Sequence, residues 1–120
     1  MPQYLVAIHH RDDYDPFVEE DEAMHRAIDV LNEEMVARGV RVFVGGLHRA
    51  GSAKSLRAQS GGKVLITDGP YLETKEHIGG LTIFQAADMD EALAWARKGA
   101  VAGRASCEVR PFFRSNTPAE

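Results

Sequence analysis

The order of the predicted elements assigns the chain to the α+β class. A strand, a helix and a second strand are predicted within residues 1–44, a hairpin with Gly61-Gly62 at its turn comes next, and a strand, a helix and a strand complete the chain. This β-α-β, hairpin, β-α-β order is the split βαβ, ferredoxin-like arrangement, in which an antiparallel sheet carries both helices on one face. At 120 residues the chain suits one core, so we expect a single domain over residues 1–114 and a tail over residues 115–120.

The first strand is predicted over residues 4–10, where both alternating faces are largely apolar. A helix is predicted over residues 16–38. Asp15 is a suitable N-cap, Pro16 fits the first helical position, and Gly39 fits the position after the last turn. The residues expected to face the core recur at helical spacing and are Met24, Ala27, Ile28, Leu31 and Met35.

The second strand is predicted over residues 40–44. The two glycines that follow it, Gly45 and Gly46, indicate a bulge or a close approach between two backbones. Residues 53–60 are expected to form an edge strand, and residues 63–67 are expected to pair with it as a hairpin.

The second half of the chain repeats the strand-helix-strand pattern. A strand is predicted over residues 79–86, and a short helix is predicted from the cap residue Asp88 to Gly99. Residues 100–105 are expected to be a loop, and the last strand is predicted over residues 106–113. The residues expected on the buried side of the short helix are Met89, Ala92, Leu93 and Ala96.

The apolar pattern of the strands also predicts an assembly. Two helices can cover only one face of the sheet, while alternate residues of several strands make the other face apolar as well. We therefore expect a homodimer that packs sheet against sheet. The alternative is a monomer with a modestly apolar open face.

Composition and charge exclude several classes of function. The net charge of -4 and the absence of a Lys or Arg cluster argue against direct binding of nucleic acid. No apolar run approaches the ~20 residues of a membrane span, and the N-terminus lacks the basic segment of a signal peptide, so we expect a cytoplasmic protein. The single cysteine, Cys107, excludes an internal disulfide and is expected to be a small core residue.

Residues 67–80 contain the densest run of turn-forming and charged residues, between two apolar segments. Asp68-Gly-Pro70 predicts a chain reversal, and loops held by a rigid scaffold are where binding groups concentrate. Lys75 is able to hold an anionic group while a neighbouring carboxylate takes a proton. Alternatively, Asp68 caps the turn, and Lys75 pairs with Glu73 or Glu76 and fixes the loop against the partner subunit. The candidates for a ligand pocket are Asp68, Glu73, Lys75, Glu76, Arg110 and His9.

Two of these candidates carry further expectations. Arg110 has a fork of donors that suits a carboxylate ligand; alternatively, Arg110 forms a salt bridge with Glu108 or with an acid of a neighbouring strand. The five histidines, His9 among them, do not fall into H-x-x-x-H or H-E-x-x-H spacing, so we expect no metal site. The paired glycines do not open helices after strands, so we expect no nucleotide or other cofactor.

The stretch Thr67-Asp-Gly-Pro-Tyr-Leu-Glu-Thr-Lys-Glu-His-Ile-Gly-Gly80 resembles the signature of the DGPF family of YCII-related proteins, with Tyr71 in place of the usual phenylalanine. The likeness extends through Asp90-Glu-Ala-Leu-Ala-Trp-Ala96 and Glu108-Val-Arg-Pro111. The resemblance implies the fold of a dimeric α+β barrel. It also implies a functional link to extracytoplasmic-function sigma factors.

The broader group is associated with a proposed His–Asp pair. His25 falls in the neighbourhood of that histidine, but residues 96–103, where the resemblance places the acid, contain none. Asp21 and Asp29 each lie four residues from His25, which is the pattern of a solvated charged face. The pair is therefore incomplete, and no catalytic residue is predicted.

Two functions follow from these observations. The first is a small dimeric protein that binds a small ligand or serves as an accessory or regulatory module. The alternative is a cofactor-free enzyme, with lyase, isomerase or dehalogenase-like chemistry on a small aromatic or carbonyl compound in the dimer cleft.

Overall fold

The computed structural model describes residues 1–114. The predicted tail at residues 115–120 lies outside the described residues. Single turns of 3-10 helix occur at Ala50–Ser52 and Ser60–Gly62. The other elements are, in chain order, β1 (Gln3–Arg11), α1 (Pro16–Glu19), α2 (Glu22–Ala37), β2 (Arg41–Gly46), β3 (Lys54–Ala58), β4 (Val64–Asp68), β5 (Glu76–Gln85), α3 (Met89–Gly103) and β6 (Ser106–Pro111).

The main sheet has four antiparallel strands in the order β2-β5-β1-β6. This is the ferredoxin-like order, with the two strands that precede the long helices in the centre, and it confirms the predicted α+β fold. The inserted hairpin is also present, as a separate two-stranded sheet of β3 and β4 in which Leu56 lies opposite Ile66.

The core lies between one face of the main sheet and the helices α2 and α3. Tyr4, Val6 and Phe84 contribute to it from the sheet, and Met35 and Ala96 contribute from the helices. Phe84 is the most deeply buried large side chain, with 1% of its surface exposed. Both long helices therefore cover the same face, as the fold class predicts.

The predicted helix over residues 16–38 is wrong in one respect, because the chain breaks it in two. Glu20 and Asp21 are extended, and the side chain of Asp21 accepts a hydrogen bond from the backbone N–H of Met24. An aspartate that caps a new helix in this way favours the extended conformation at its own position. Ala27, expected in the core, is exposed on α2.

The predicted loop at residues 100–105 is also wrong, because α3 continues through Gly99 to Gly103. A glycine inside a helix costs only about 1 kcal/mol relative to alanine, and Ala100 and Ala102 after Gly99 are good helix formers. Arg104 is the C-cap of the helix and has φ of 51°, in the left-handed region. Its guanidinium donates two hydrogen bonds to the carboxylate of Asp21, at 2.9 and 3.2 Å, and so joins the end of α3 to the start of α2.

Strand β5 begins three residues before the predicted start and contains a bulge. Ile8 pairs with Gly80 and His9 pairs with Ile78, which leaves Gly79 as the extra residue. A Cβ on Gly80 would lie 3.1 Å from the carbonyl oxygen of Gly45. This short distance confirms the close backbone approach predicted for the Gly45-Gly46 pair.

The second face of the main sheet is apolar, as the strand pattern predicts. Leu5 lies opposite Ile83 and Ala7 lies opposite Leu81, while Phe43 of β2 pairs with Ile83 from the other side. These side chains alternate with the core residues, so they point away from both long helices. Phe43 has 54% of its surface exposed.

Among residues 1–114, no helix combines the length and the apolar character that crossing a membrane requires.

Candidate functional site

The loop within residues 67–80 is shorter than the sequence indicates. Strand β4 includes Asp68 and β5 begins at Glu76, so the loop covers residues 69–75. Gly69 has φ of 91°, as the predicted chain reversal requires. The exposed carboxylate of Asp68 pairs with the ammonium of Lys54 across the hairpin. Glu73 is exposed on this loop and forms no ion pair within residues 1–114.

Three of the other candidates share one shallow depression. His9, Lys75 and Glu76 line it, together with neighbouring residues of the loop after β1. The carbonyl oxygen of Lys75 accepts a hydrogen bond from the backbone N–H of Asp12 at 2.7 Å, which fixes the two loops together. Arg110 lies apart and donates to Glu108 at 2.8 Å, the salt bridge that the sequence offered as its alternative.

A more enclosed cavity lies next to this depression and has a volume of about 190 Å³. Its walls come from three segments: the end of β1 with the loop into α1, the connection after β2, and the start of β5. Both apolar and polar residues contribute to the lining. The lining includes His10, Tyr14, Glu20, Leu47, His48, Arg49, His77 and Ile78.

An aromatic stack forms one wall of the cavity. The rings of His10 and Tyr14 are 3.7 Å apart between centroids and only 17° from parallel. His10 is the penultimate residue of β1, and its ring lies against the bulge residue Gly79. Tyr14 precedes α1, so the stack joins the sheet to the first helical segment.

A chain of hydrogen bonds continues from the stack to α2. The hydroxyl of Tyr14 donates to Glu20 Oε2 at 2.6 Å, and His25 Nε2 donates to Glu20 Oε1 at 2.7 Å. The break between α1 and α2 places Glu20 between the two donors. His25 therefore has a carboxylate partner, although the sequence pattern indicated only a solvated charged face.

The surroundings shift the pKa values of three of these groups. Burial lowers the pKa of His10, against the opposing effect of the carboxylates of Glu20 and Glu19. Burial and the hydrogen bond to Glu20 raise the pKa of Tyr14. The hydrogen bond from Tyr14 lowers the pKa of Glu20, and His25 adds to the effect while burial opposes it. At neutral pH the group therefore consists of a neutral imidazole, a protonated phenol and an ionised carboxylate.

Two further residues complete the polar lining. His77, whose side chain is only 16% exposed, lies 3.2 Å from the carboxylate of Asp12 through its Nε2 atom. Arg49 donates to the backbone carbonyl oxygen of Tyr14 at 2.9 Å. The arrangement can hold a small polar or ionised compound, and His10 can accept a proton from it. Within residues 1–114, no group of three or more His, Cys, Asp or Glu is arranged to hold a metal ion.

Sequence reasoning missed most of this cavity. Its polar residues come from short segments that are far apart in the chain, and Glu20 was part of an acidic run that is typical of a helix start. One signal was available. Asp21 is a second N-cap candidate six residues after Asp15, and a break there turns Glu20 out of the helix and toward Tyr14.

Comparisons with known proteins identify the relatives of the chain. The family model of the YCII-related domain matches residues 3–116. A protein of Rhizobium meliloti (strain 1021), described only as uncharacterized, is 37% identical over 96 residues, which cover 78% of this chain and 77% of that protein. The chain belongs to the family of YCII-related domain proteins.

Proposed function

We propose that the protein binds a small organic ligand in the cavity beside His10 and Tyr14. The observation that carries this proposal is the stack of the two rings, which the Tyr14 to Glu20 hydrogen bond holds in place at the cavity wall. A polar wall fixed in advance spares the ligand the entropic cost of ordering it. Leu47 and Ile78 add apolar surface to the lining of the same cavity, and small-molecule sites are generally lined in large part by apolar side chains.

The size of the cavity indicates the size of the ligand. Its volume of about 190 Å³ is below the roughly 300–1,000 Å³ of sites for drug-sized compounds. A ligand with one ring and one or two polar substituents fits this space. We place such a protein in the cytoplasm, as an accessory or regulatory module, and the sigma-factor link implied by the family resemblance is part of the same proposal.

We further propose that the working form is a homodimer joined through the open face of the main sheet. Phe43, at the β2 edge of this face, has 54% of its surface exposed in the single chain, and an exposed large apolar side chain on an apolar face is typical of an interface. Leu5, Leu81, Ile83 and Phe43 form the apolar face that such an interface would cover.

The second candidate function is a cofactor-free enzyme that moves a proton on a small aromatic or carbonyl compound. His10 favours it, because a neutral imidazole that lines a cavity and has a lowered pKa is able to act as a general base. Glu20 is the weaker candidate for a base, since its pKa is lowered and both of its oxygens accept hydrogen bonds.

The test is a screen of single-ring compounds against the ¹⁵N-labelled full chain by NMR. Binding in the cavity will shift the amide signals of Tyr14, Leu47 and Ile78, and the signals of Leu56 and Ile66 in the β3–β4 hairpin will stay in place. If the shifts spread over the hairpin, or none occurs in the cavity, the proposed site is wrong.

The same compounds separate binding from catalysis. Each binder that carries a carbonyl group is incubated with the protein in D₂O, and deuterium incorporation next to the carbonyl is measured by mass spectrometry. Incorporation that is lost in His10→Asn but kept in His48→Asn establishes the enzyme. Binding without incorporation supports the non-catalytic function.

A further inference from the structure

Most charged side chains around the cavity have a side-chain partner, but one does not. Arg11 pairs with Asp13 at 3.2 Å and with Glu19 at 2.9 Å. Asp12 lies against His77, and Glu20 accepts from two donors. Arg49 differs from all of these, because its guanidinium has no carboxylate partner within residues 1–114 and donates only to the backbone oxygen of Tyr14.

We propose that Arg49 binds the carboxylate of the ligand, so that the cavity selects small monocarboxylates with one ring. This inference rests on the proposed function of the cavity and deepens it. A guanidinium carries five N–H donors in a planar fork, and one donor used on Tyr14 leaves enough of them for a bidentate contact with a carboxylate. Charge-assisted pairs of this kind are about twice as strong as hydrogen bonds between neutral groups.

The position of Arg49 relative to the stack supports this assignment. Its hydrogen bond reaches the main chain of Tyr14, and the ring of Tyr14 stacks on His10, so the guanidinium is fixed next to the aromatic wall. A ring that contacts Leu47 and Ile78 can therefore direct a carboxylate toward Arg49. Arg is suited to this role because its planar group is ordered at a smaller entropic cost per hydrogen bond than the ammonium of Lys.

The acids in the wall limit the charge of the ligand. Asp12 and Glu20 line the same cavity, and within residues 1–114 neither pairs with an Arg or a Lys, since their partners are His77 for Asp12 and Tyr14 and His25 for Glu20. A second carboxylate on the ligand would lie near these acids without a cation of its own, and like charges at short distance repel. We therefore expect a monoanion to bind more tightly than a dianion of the same shape.

The test uses benzoate, benzamide and phthalate as probes of the full chain, by NMR titration at pH 7.5 and low salt. Benzoate will bind at least tenfold more tightly than benzamide, and more tightly than phthalate. Arg49→Gln will weaken benzoate binding about tenfold and leave benzamide unchanged, since tenfold corresponds to about 1.4 kcal/mol. The control is Arg57→Gln, because Arg57 also donates to a backbone oxygen at 2.9 Å, that of Tyr71, but lies on the hairpin.

The outcomes separate this inference from the proposed function. If benzoate and benzamide bind equally and Arg49→Gln changes neither affinity, the inference is overturned and the binding site stands. If Arg57→Gln weakens benzoate binding as much as Arg49→Gln does, the effect is one of overall charge and the inference is again overturned. If no probe shifts the signals of Tyr14, Leu47 and Ile78, the cavity is not a site for single-ring ligands and both fail.

Discussion

Gly79 leaves open the space that the ring of His10 occupies. A Cβ placed on Gly79 would lie 2.1 Å from His10 Nδ1 and 2.7 Å from Cε1, which is far inside contact distance. Gly79 is also the extra residue of the bulge between β1 and β5. The glycine at the bulge therefore shapes the cavity wall, because it leaves space for the ring of His10 to stack on Tyr14.

The first prediction is that Gly79→Ala displaces the imidazole of His10 and breaks the stack. The added methyl group and the ring cannot occupy the same volume, and the ring is the part that is able to move. The ring protons of His10 will lose the upfield NMR shift that the face of Tyr14 causes, and any ligand of the cavity will bind at least tenfold more weakly. The control is Gly51→Ala, because a Cβ at Gly51 would meet no atom within 4 Å. Unchanged His10 signals in Gly79→Ala would contradict the proposed role of Gly79 in leaving space for the ring.

The second prediction concerns the hydrogen bond between Tyr14 and Glu20. Tyr14→Phe removes the donor that is the main cause of the lowered pKa of Glu20, so that pKa will rise. The loss will destabilise the protein by about 1 kcal/mol, since Glu20 is only partly buried and water replaces the lost donor. NMR titration of the Glu20 side chain and urea unfolding measure the two effects. Tyr71→Phe, on an exposed residue of the loop after β4, is the control and should change neither.

The fold was predictable from the sequence because the spacing of the apolar residues and the positions of the capping and turn residues agree along most of the chain. Strands with apolar alternation and caps such as Asp15 and Asp88 locate the elements, and the structure uses both caps, at Phe17 and at Glu91. The two errors share one cause. At Asp21 and at Gly99 the local sequence is compatible both with a helix that continues and with a helix that ends. The contact between Arg104 and Asp21, which are 83 positions apart, cannot be predicted from local sequence.

The candidate site was less predictable because its geometry depends on the break between α1 and α2 and on the bulge in β5. The charged residues of the loop at 67–80 stand out in the sequence, yet Asp68 pairs with Lys54 within the hairpin. The more enclosed cavity depends instead on the helix break at Glu20 and on the bulge at Gly79. A bulge is set by how two strands pair, which neither strand's sequence states on its own.

The third prediction is that acid destabilises the protein in two stages. The lowered pKa of His10 means that folding favours the neutral ring, so its contribution is complete above pH 6.5 and is lost as the pH falls below 6.5. The lowered pKa of Glu20 means that folding favours the carboxylate, so its contribution is lost as the pH falls below 4.5. The free energy of unfolding, measured with urea from pH 8 to pH 2, will therefore decrease toward acid. His10→Asn will remove the first stage and His48→Asn will retain it; the same first stage in both variants would contradict the assignment.

The fourth prediction compares a core residue of the main sheet with a surface residue of α1. Phe84→Ala removes the most deeply buried large side chain and will destabilise the protein by about 3–5 kcal/mol, because the cavity it leaves cannot fully collapse. Phe17 has 96% of its surface exposed on α1, so Phe17→Ala will change the free energy of unfolding by no more than about 0.5 kcal/mol. Urea unfolding measures both. Similar losses in the two variants would contradict the position of the core.

The fifth prediction tests the dimer through the open face of the main sheet. Light scattering of the wild-type protein will give twice the 13.2 kDa mass of one chain. Phe43→Glu places a charge among the apolar side chains beside Ile83, and an unpaired charge in a buried interface costs several kcal/mol, so this variant will be a monomer. It will still fold, because Phe43 is 54% exposed in the single chain. Val101→Glu, on the exposed side of α3, should leave the dimer intact. A wild-type protein that stays at 13.2 kDa at micromolar concentration would refute the sheet-to-sheet assembly, and a dimer that persists in Phe43→Glu would place its interface elsewhere.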